Sequence, residues 1–321
     1  MSSWAEDGWE RTVPPLQLSR AEVDRLLGPL GPSEAVAALP GGKANTNLRV
    51  ERASGPPVVL RLYQRDHDAS AREQALWARV AGRMPLPCCL GTGITSCGHP
   101  VAVLDFVDGV APASALAAHP EQAGAIARAL GATLAPLAEL PIDGIGLYAP
   151  DLTLARRFEG VRASFEDLIR WSLRSGRARK RLGPDRVQAL RLALPAAIER
   201  LAPLEAHPGL AHGDYKSSNL LMRPDPWRVV AVLDWEFACP FTPMLDVAIL
   251  MRHRSTWPTS FQGGFEAGYR DAGGWLPEDW RDVSQVLDLM NLLGFLNASG
   301  PRPTLYRSVV ARVDQTLTLL S

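Results

Sequence analysis

Residues Leu210–Ala238 read LAHGDYKSSNLLMRPDPWRVVAVLDWEFA. Gly213 in front of Asp214 puts a carboxylate on a tight turn. Asn219 follows, then a proline-containing turn, the apolar run Val229–Leu233, and Asp234-Trp235-Glu236. A carboxylate so placed can accept or orient the proton of a hydroxyl, an effect typically worth ~10²–10⁴ in rate. Asn219 and Asp234 offer the hard oxygen ligands that magnesium prefers. Lys216 can neutralise charge on a transferred phosphoryl group. An isolated His-Gly-Asp is only a turn, and a lone Asp after a strand is commonly a helix cap. Their joint occurrence points to phosphoryl transfer, with Asp214 and Lys216 as catalytic candidates and Asn219 and Asp234 as metal ligands. His212 reads as a structural part of the turn, because the chain has neither a Gly-x-Ser-x-Gly elbow nor His-Glu-x-x-His.

Upstream, Pro40–Asn47 (PGGKANTN) lies between two predicted strands. Glycines let backbone come close to phosphate oxygens, so Gly41, Gly42, Asn45, Thr46 and Asn47 are candidate nucleotide contacts. A ligand-free Gly-Gly hairpin explains the stretch equally well, and it lacks the Gly-Lys-Ser/Thr of a P-loop. Arg61 sits in the apolar strand Val58–Tyr63 (VVLRLY). It reads either as an outward arginine on an alternating strand or as a buried cation paired with Glu73 on the next helix. Leu104-Asp105-Phe106-Val107-Asp108-Gly109 ends the last strand. Its backbone could read a nucleotide base or simply link two domains.

The element pattern changes once along the chain. Residues 1 to about 17 look like a loose arm, and Ser19 to Glu22 forms a capping box opening a helix through Leu30. Strands are predicted at Ala35–Leu39, Asn47–Arg52, Val58–Tyr63 and Pro100–Val107, with a weaker one near Cys88–Thr95 and a helix from Ala69 to about Gly82. After Gly109 the spacing turns helical. Segments are expected to about Leu140, then at Leu154–Arg174, Asp185–Leu204, Pro243–Arg252, Phe261–Ala272, Glu278–Leu296 and Pro303–Leu320. The basic connector Arg170–Arg186 reads as a solvated turn or as a surface for a phosphate-bearing partner. A strand-rich part, 1–107, followed by a larger helical part, 108–321, gives an α+β class.

Composition narrows the rest. The 321 residues carry 34 acids and 34 bases, which gives no field for a nucleic-acid partner. No stretch approaches the roughly 18 consecutive apolar residues of a membrane-spanning helix. Cys88, Cys89, Cys97 and Cys239 follow no disulfide or zinc spacing, which suggests buried reduced thiols and a cytoplasmic setting. Oligomeric state has no signature here.

The ordered set GGKANTN, VVLRLY, an acid on the following helix, LDFVDG, HGDYKSSN, LDWE and Pro243-Met-Leu-Asp246 resembles the aminoglycoside phosphotransferase and choline-kinase-like superfamily. The resemblance runs from about residue 35 to about 255. It implies the two-lobed protein-kinase-like fold, with a small antiparallel-sheet lobe and a larger helical lobe. It further implies ATP or GTP as donor, Mg2+, and a hydroxyl on a small molecule, with an aminoglycoside-type antibiotic as leading acceptor and choline, ethanolamine, a sugar, an amino acid or another natural product as alternatives. A cationic acceptor would want acids in the C-terminal helices, where Glu266, Asp271, Asp279, Asp282 and Asp288 are available, although solvated helix faces explain most of them equally well. Asp214 is implied as base, and Asn219 and Asp234 as magnesium ligands. Arg61 would take the phosphate-contacting strand position, with Glu73 as its partner. Asp105, Phe106 and Val107 would form the nucleotide hinge, and Asp246 would hold the catalytic loop. Arg61 stands where the family usually carries lysine, and GGKANTN lacks a full Gly-x-Gly-x-x-Gly. A kinase-like binding protein without turnover is the first alternative. A protein kinase is disfavoured, because His-Gly-Asp replaces His-Arg-Asp and no Ala-Pro-Glu follows.

Overall fold

The computed structural model describes residues 13–39, 44–174 and 176–321. Alternation along the N-terminal strands builds a layered unit. Helix α1 (Arg20–Leu27) is capped by the Ser19 hydroxyl, which accepts from Glu22 N at 3.2 Å, and it gives way to a 3-10 turn at Gly28–Leu30. Strands β1 (Ser33–Ala38), β2 (Thr46–Arg52) and β3 (Val58–Leu62) precede helix α2 (Asp68–Val80), and β4 (Cys89–Ile94) and β5 (Pro100–Asp105) follow it. They form an antiparallel sheet of order β1-β2-β3-β5-β4.

Period-two alternation sends Leu48, Val50, Val58, Leu60 and Leu62 to one face, where they bury against Val23, Leu26 and Leu27 of α1. Arg61 and Tyr63 then belong to the other face, which packs on Leu76, Trp77 and Val80 of α2. The chain before α1 is not loose from Val13 onward. Leu16 and Leu18 pack on the α1 side, and Leu16 N donates to Thr46 Oγ1 at 3.0 Å.

Beyond β5, the Val110 backbone pairs with Met222, at 2.9 and 2.8 Å in the two directions. Helices α3 (Pro112–Ala118) and α4 (Ala123–Leu134) follow. The expected helix at Leu154–Arg174 is in part a strand: β6 (Gly146–Tyr148) pairs antiparallel with β7 (Leu154–Arg157), and helix α5 begins only at Val161, running to Arg174. The basic connector is likewise not a turn. It contains α6 (Gly176–Leu182), from which the Arg181 NH1 donates to the Leu296 and Ala298 carbonyls at 2.6 and 2.7 Å. Helix α7 (Pro184–Arg200) leads to the opening stretch.

There, β8 (Gly209–Ala211) pairs with β11 (Cys239–Phe241), and β9 (Leu220–Arg223) pairs with β10 (Arg228–Val232). Two short antiparallel pairings, one a hairpin and one closing the whole stretch, thus flank both chemistry-bearing turns. Helices α8 (Met244–Met251) and α9 (Thr259–Asp271) follow. The single helix expected at Glu278–Leu296 is two, α10 (Trp280–Leu287) and α11 (Leu289–Asn297), and α12 (Pro303–Leu319) closes the chain. Asp288 stands at the break, with its carboxylate committed to Arg252. The whole is a two-lobed α+β fold, with the larger core in the helical part. No helix among the described residues is long and apolar enough to cross a membrane.

The four cysteines are free, but burial does not hold for them. Cys88, Cys89 and Cys97 are exposed and Cys239 is half-buried.

Candidate active site

The His212-Gly213-Asp214 turn is fixed from below by Asp246 in the first turn of α8. Its fully buried carboxylate accepts from His212 N at 2.6 Å and Gly213 N at 2.9 Å. Burial pushes the Asp246 pKa up to about 7 against these N–H bonds, which favour the ionised form. Gly213 has φ +78°, and a Cβ there would lie 2.3 Å from the Phe237 carbonyl oxygen. Only glycine lets the two turns touch.

His212 is buried, with Nε2 3.0 Å from the Leu233 carbonyl and Nδ1 accepting from Asp214 N at 3.2 Å. Because a carbonyl can only accept and an N–H only donate, the ring is neutral with its proton on Nε2. Burial drives its pKa down to about 4, against the pull of Asp234. The buried Trp235 ring meets it edge-on, centroids 4.6 Å apart. His212 is structural, as its sequence context suggests.

On this frame Asn219 Nδ2 donates to both the Asp214 carbonyl and Asp214 Oδ2, each at 2.9 Å. Lys216 Nζ lies 2.9 Å from the same Oδ2. Asp234 adopts a left-handed backbone, φ +66° and ψ +65°. Such a conformation in a residue other than glycine is uncommon and concentrates at functional turns.

Arg61 joins the two lobes at this point. Its Nε and NH2 take the Glu73 carboxylate side-on at 2.9 and 3.0 Å, and NH2 also reaches Asp234 Oδ1 at 2.6 Å. Of the two readings of Arg61, the buried ion pair is the one present: Arg61 is 6% exposed and Glu73 0%. Burial works to lower the Arg61 pKa, but Asp234 and Glu73 outweigh it and hold the guanidinium charged. Burial pushes Asp234 the other way, yet Arg61 and Lys216 keep its carboxyl below the usual range. Tyr63 adds a hydroxyl bond to Glu73. Arg61 NH1 makes no hydrogen bond among the described residues.

The glycine-loop candidates divide. Gly41 and Gly42 lie outside the described residues. Asn45 and Thr46 are buried and turned to protein partners rather than left open for phosphate. Asn45 Oδ1 accepts from Gln64 N at 3.2 Å and its Nδ2 faces Glu236 at 3.4 Å, while Thr46 Oγ1 bonds Gln64 Oε1 at 2.5 Å. Asn47 pairs in register with Arg61 across β2 and β3. At the hinge, Asp105 exchanges backbone and side-chain bonds with Cys88. Phe106 N donates to the Pro57 carbonyl at 3.3 Å and its ring lies under Arg49, 4.2 Å away. The Val107 backbone groups have no partner among the described residues.

One member of the site was given no role from sequence. Glu236 is buried, 2.9 Å from Arg65 and next to Asp234, and burial together with the Asp234 charge raises its pKa to about 7. Its carbonyl accepts from Arg72 Nε at 3.3 Å and NH2 at 3.2 Å. The LDWE motif was visible; only the fold shows that its glutamate faces the sheet lobe rather than solvent.

No group of three or more His, Cys, Asp or Glu forms a self-contained metal cage among the described residues. The oxygens at hand suit an ion shared with phosphates. Asn219 spends its NH2 on Asp214, while its amide oxygen accepts only a long bond from the Ser218 hydroxyl at 3.5 Å, and Asp234 Oδ2 makes no hydrogen bond among the described residues. Magnesium is commonly held by one or two protein oxygens plus substrate phosphates, so these residues fit it.

Comparison with known proteins agrees with this geometry. Residues 35–285 match the phosphotransferase enzyme family, APH, so the chain belongs to that family. The fold is shared with a thermostable mutant of aminoglycoside phosphotransferase APH(4)-Ia, 16% identical, TM-score 0.66, over 94% of this chain and 99% of that one. A further substituted variant of that mutant is known in a ternary complex with ADP and hygromycin B. A putative fructosamine-3-kinase from Thermobifida fusca YX-ER1 is 20% identical, TM-score 0.61, over 93% and 98%. These identities carry the protein-kinase-like fold alone. A curated relative, the probable acyl-CoA dehydrogenase IBR3 of Arabidopsis thaliana, is 29% identical over 88% of this chain, which spans only 35% of the plant protein's length.

Proposed function

We propose that this protein transfers the terminal phosphoryl group of ATP or GTP, with magnesium, to a hydroxyl of a small molecule. One observation carries the reading: three separated segments converge, with Asn219 on Asp214 at 2.9 Å and Arg61 spanning Glu73 and Asp234. In this reading Asp214 receives or orients the acceptor's proton, and Asn219 fixes the angle of its carboxylate. Lys216 places a cation beside that carboxylate, where negative charge on the moving phosphoryl group needs neutralising. Arg61 presents NH1 to the donor phosphates while Glu73 holds the other edge of its fork. Val107 offers its backbone to the base. Asn219 and Asp234 would hold magnesium, which when bound neutralises phosphate charge.

The finer expectation, an aminoglycoside-type acceptor, is supported by the neighbour complexed with hygromycin B and by fold likeness only. A polycation wants open carboxylates, and the helical acids considered for that role are already bridged. Glu266 meets Arg270 and Arg281, Asp271 meets Arg128, Asp279 and Asp282 share Arg200, and Asp288 is locked to Arg252. The dehydrogenase activity in the plant relative's name is not carried over, given the length mismatch.

The test is a nucleotide-consumption screen with ATP and GTP in parallel, against aminoglycosides, amino alcohols, sugars and nucleosides. Acceptor-dependent consumption by the wild-type protein supports the reading. Binding of Mg-nucleotide with transfer to nothing across the panel would favour a binding protein without turnover.

A further inference from the structure

The basic run that joins α5 to α7 takes no part in the phosphoryl-transfer centre. Residues 174–191 carry seven cations and one acid, in a chain whose charges balance at 34 each. Folding engages some of that charge. Ala178 and Leu182 bury one side of α6, and Arg181 reaches across to the Leu296 and Ala298 carbonyls and over the Tyr306 ring, 3.7 Å from its centroid. Arg186 of α7 takes the Asp314 carboxylate with Nε and NH2, at 2.6 and 2.9 Å.

Arg179, Lys180 and Arg191 are not engaged. All three are exposed, and their side chains make no hydrogen bond, ion pair or ring contact among the described residues. They nevertheless stand together, lining one cleft of about 660 Å3 between α6 and α7. Helix α6 supplies Arg179 and Lys180, while α7 supplies Arg191 and, three residues earlier, Gln188. The one carboxylate in the lining, Asp185, forms no ion pair among the described residues. Like charges gathered on one wall repel one another, and a bound anion relieves that repulsion. A concave surface of one sign also concentrates counter-ions. The volume lies within the roughly 300–1,000 Å3 of small-molecule sites. Three cations less one carboxylate leave a formal charge of +2, which a phosphate dianion or a diphosphate matches and a single carboxylate does not. Guanidinium forks meet phosphate oxygens two at a time, and an ammonium adds a point charge.

We propose that this cleft binds a phosphate-bearing ligand, a phosphomonoester or a diphosphate, held by Arg179, Lys180 and Arg191. Such a group can come from a soluble ester or from a lipid headgroup. Leu192 bears on the second source: it is 73% exposed and four residues on from Gln188, so it shares that face of α7. None of Arg61, Asp214, Lys216, Asn219 or Asp234 lines the cleft, and the proposal does not depend on the kinase reading.

Calorimetric titration of the full chain with inorganic pyrophosphate, without nucleotide, tests this, with acetate as the singly charged control. Pyrophosphate is expected to bind saturably with a Kd of order 1 mM or tighter, and acetate about tenfold more weakly or worse. R179Q/R191Q and, separately, K180E should each weaken pyrophosphate binding by about tenfold or more. All three side chains are exposed, so both variants should melt as the wild type does. Sedimentation with phosphatidylcholine vesicles, with and without phosphatidate, separates the two sources. Phosphatidate-dependent binding that R179Q/R191Q loses identifies a lipid headgroup, and pyrophosphate binding alone identifies a soluble phosphate ester. No saturable pyrophosphate binding, binding no tighter than that of acetate, or binding that survives both variants and so belongs elsewhere would overturn the proposal.

Discussion

Arg61 does with one guanidinium what a lysine could do only in part. Its fork holds the buried Glu73 side-on and still reaches Asp234, three charge-assisted bonds from two nitrogens. An ammonium is a point charge and cannot reproduce the planar pairing. Arg61→Lys is therefore expected to raise the nucleotide KM by about tenfold, through the loss of about 1.5 kcal/mol of charged hydrogen bonding. Steady-state kinetics at fixed magnesium would check this, and an unchanged KM would remove Arg61 from the donor site. His212 makes a different kind of prediction. Its pKa is about 4 folded against 6.5 for a free histidine, so the unfolded chain binds the extra proton between these values. The neutral ring's contribution is thus present above 6.5 and lost as pH falls toward 4, up to about 3 kcal/mol. Asp246 and Glu236, raised to about 7, slope the opposite way, so the effect is read as a difference. Denaturant melts of wild type and His212→Gln should diverge most above 6.5 and converge toward 4, and a constant gap would contradict the assignment.

At the level of elements, α4 and α9 cross so closely that a Cβ on Gly131 would lie 2.3 Å from the Phe265 carbonyl and one on Gly268 2.0 Å from the Arg128 carbonyl. The crossing bears on the site because the Leu130 carbonyl of α4 accepts the hydroxyl of Tyr215, next to Asp214, at 3.0 Å. Gly268→Val must force the helices apart and is expected to cost about 1–3 kcal/mol, seen as a lower Tm. An unshifted melt would mean the crossing is looser than it stands. Elements of this fold were legible where one face dominates the pattern. Val58, Leu60 and Leu62 alternate cleanly, so β3 was plain. β7 was not, because Leu154-Ala-Arg-Arg is short, largely exposed and runs straight into helical spacing. The α10–α11 break was hidden by an unbroken apolar stripe. It is made by a tertiary pair, Arg252 with Asp288, which no local pattern encodes.

Over the whole molecule, the two lobes meet through site residues: Arg61 on Asp234, Arg65 on Glu236, and Arg72 on the Glu236 carbonyl. Nucleotide entering between them must share or exchange these bonds. Glu236 holds a proton below about 7 in the free protein, and its ionisation adds negative charge beside the donor phosphates and tightens the Arg65 pair, so Mg-nucleotide affinity is expected to fall as pH passes upward through about 7. Glu236→Gln should flatten that fall in fluorescence titrations; an equally steep profile would take Glu236 out of the donor site. The residues Asp214, Asn219 and Asp234 were legible because their chemistry lies in fixed spacing along one stretch. Glu236 and the inward turn of Asn45 were not, since each depends on a partner far away in sequence. The arginine partners of the acids available for a cationic acceptor were hidden for the same reason, each coming from elsewhere in the chain or from the next turn. The most direct test of the central claim is turnover by Asp214→Asn, measured beside its nucleotide affinity and with the acceptor found by the screen. A kcat lowered by at least ~10²-fold with nucleotide affinity little changed is the expected result; an unimpaired kcat would contradict the assignment of Asp214 as the base.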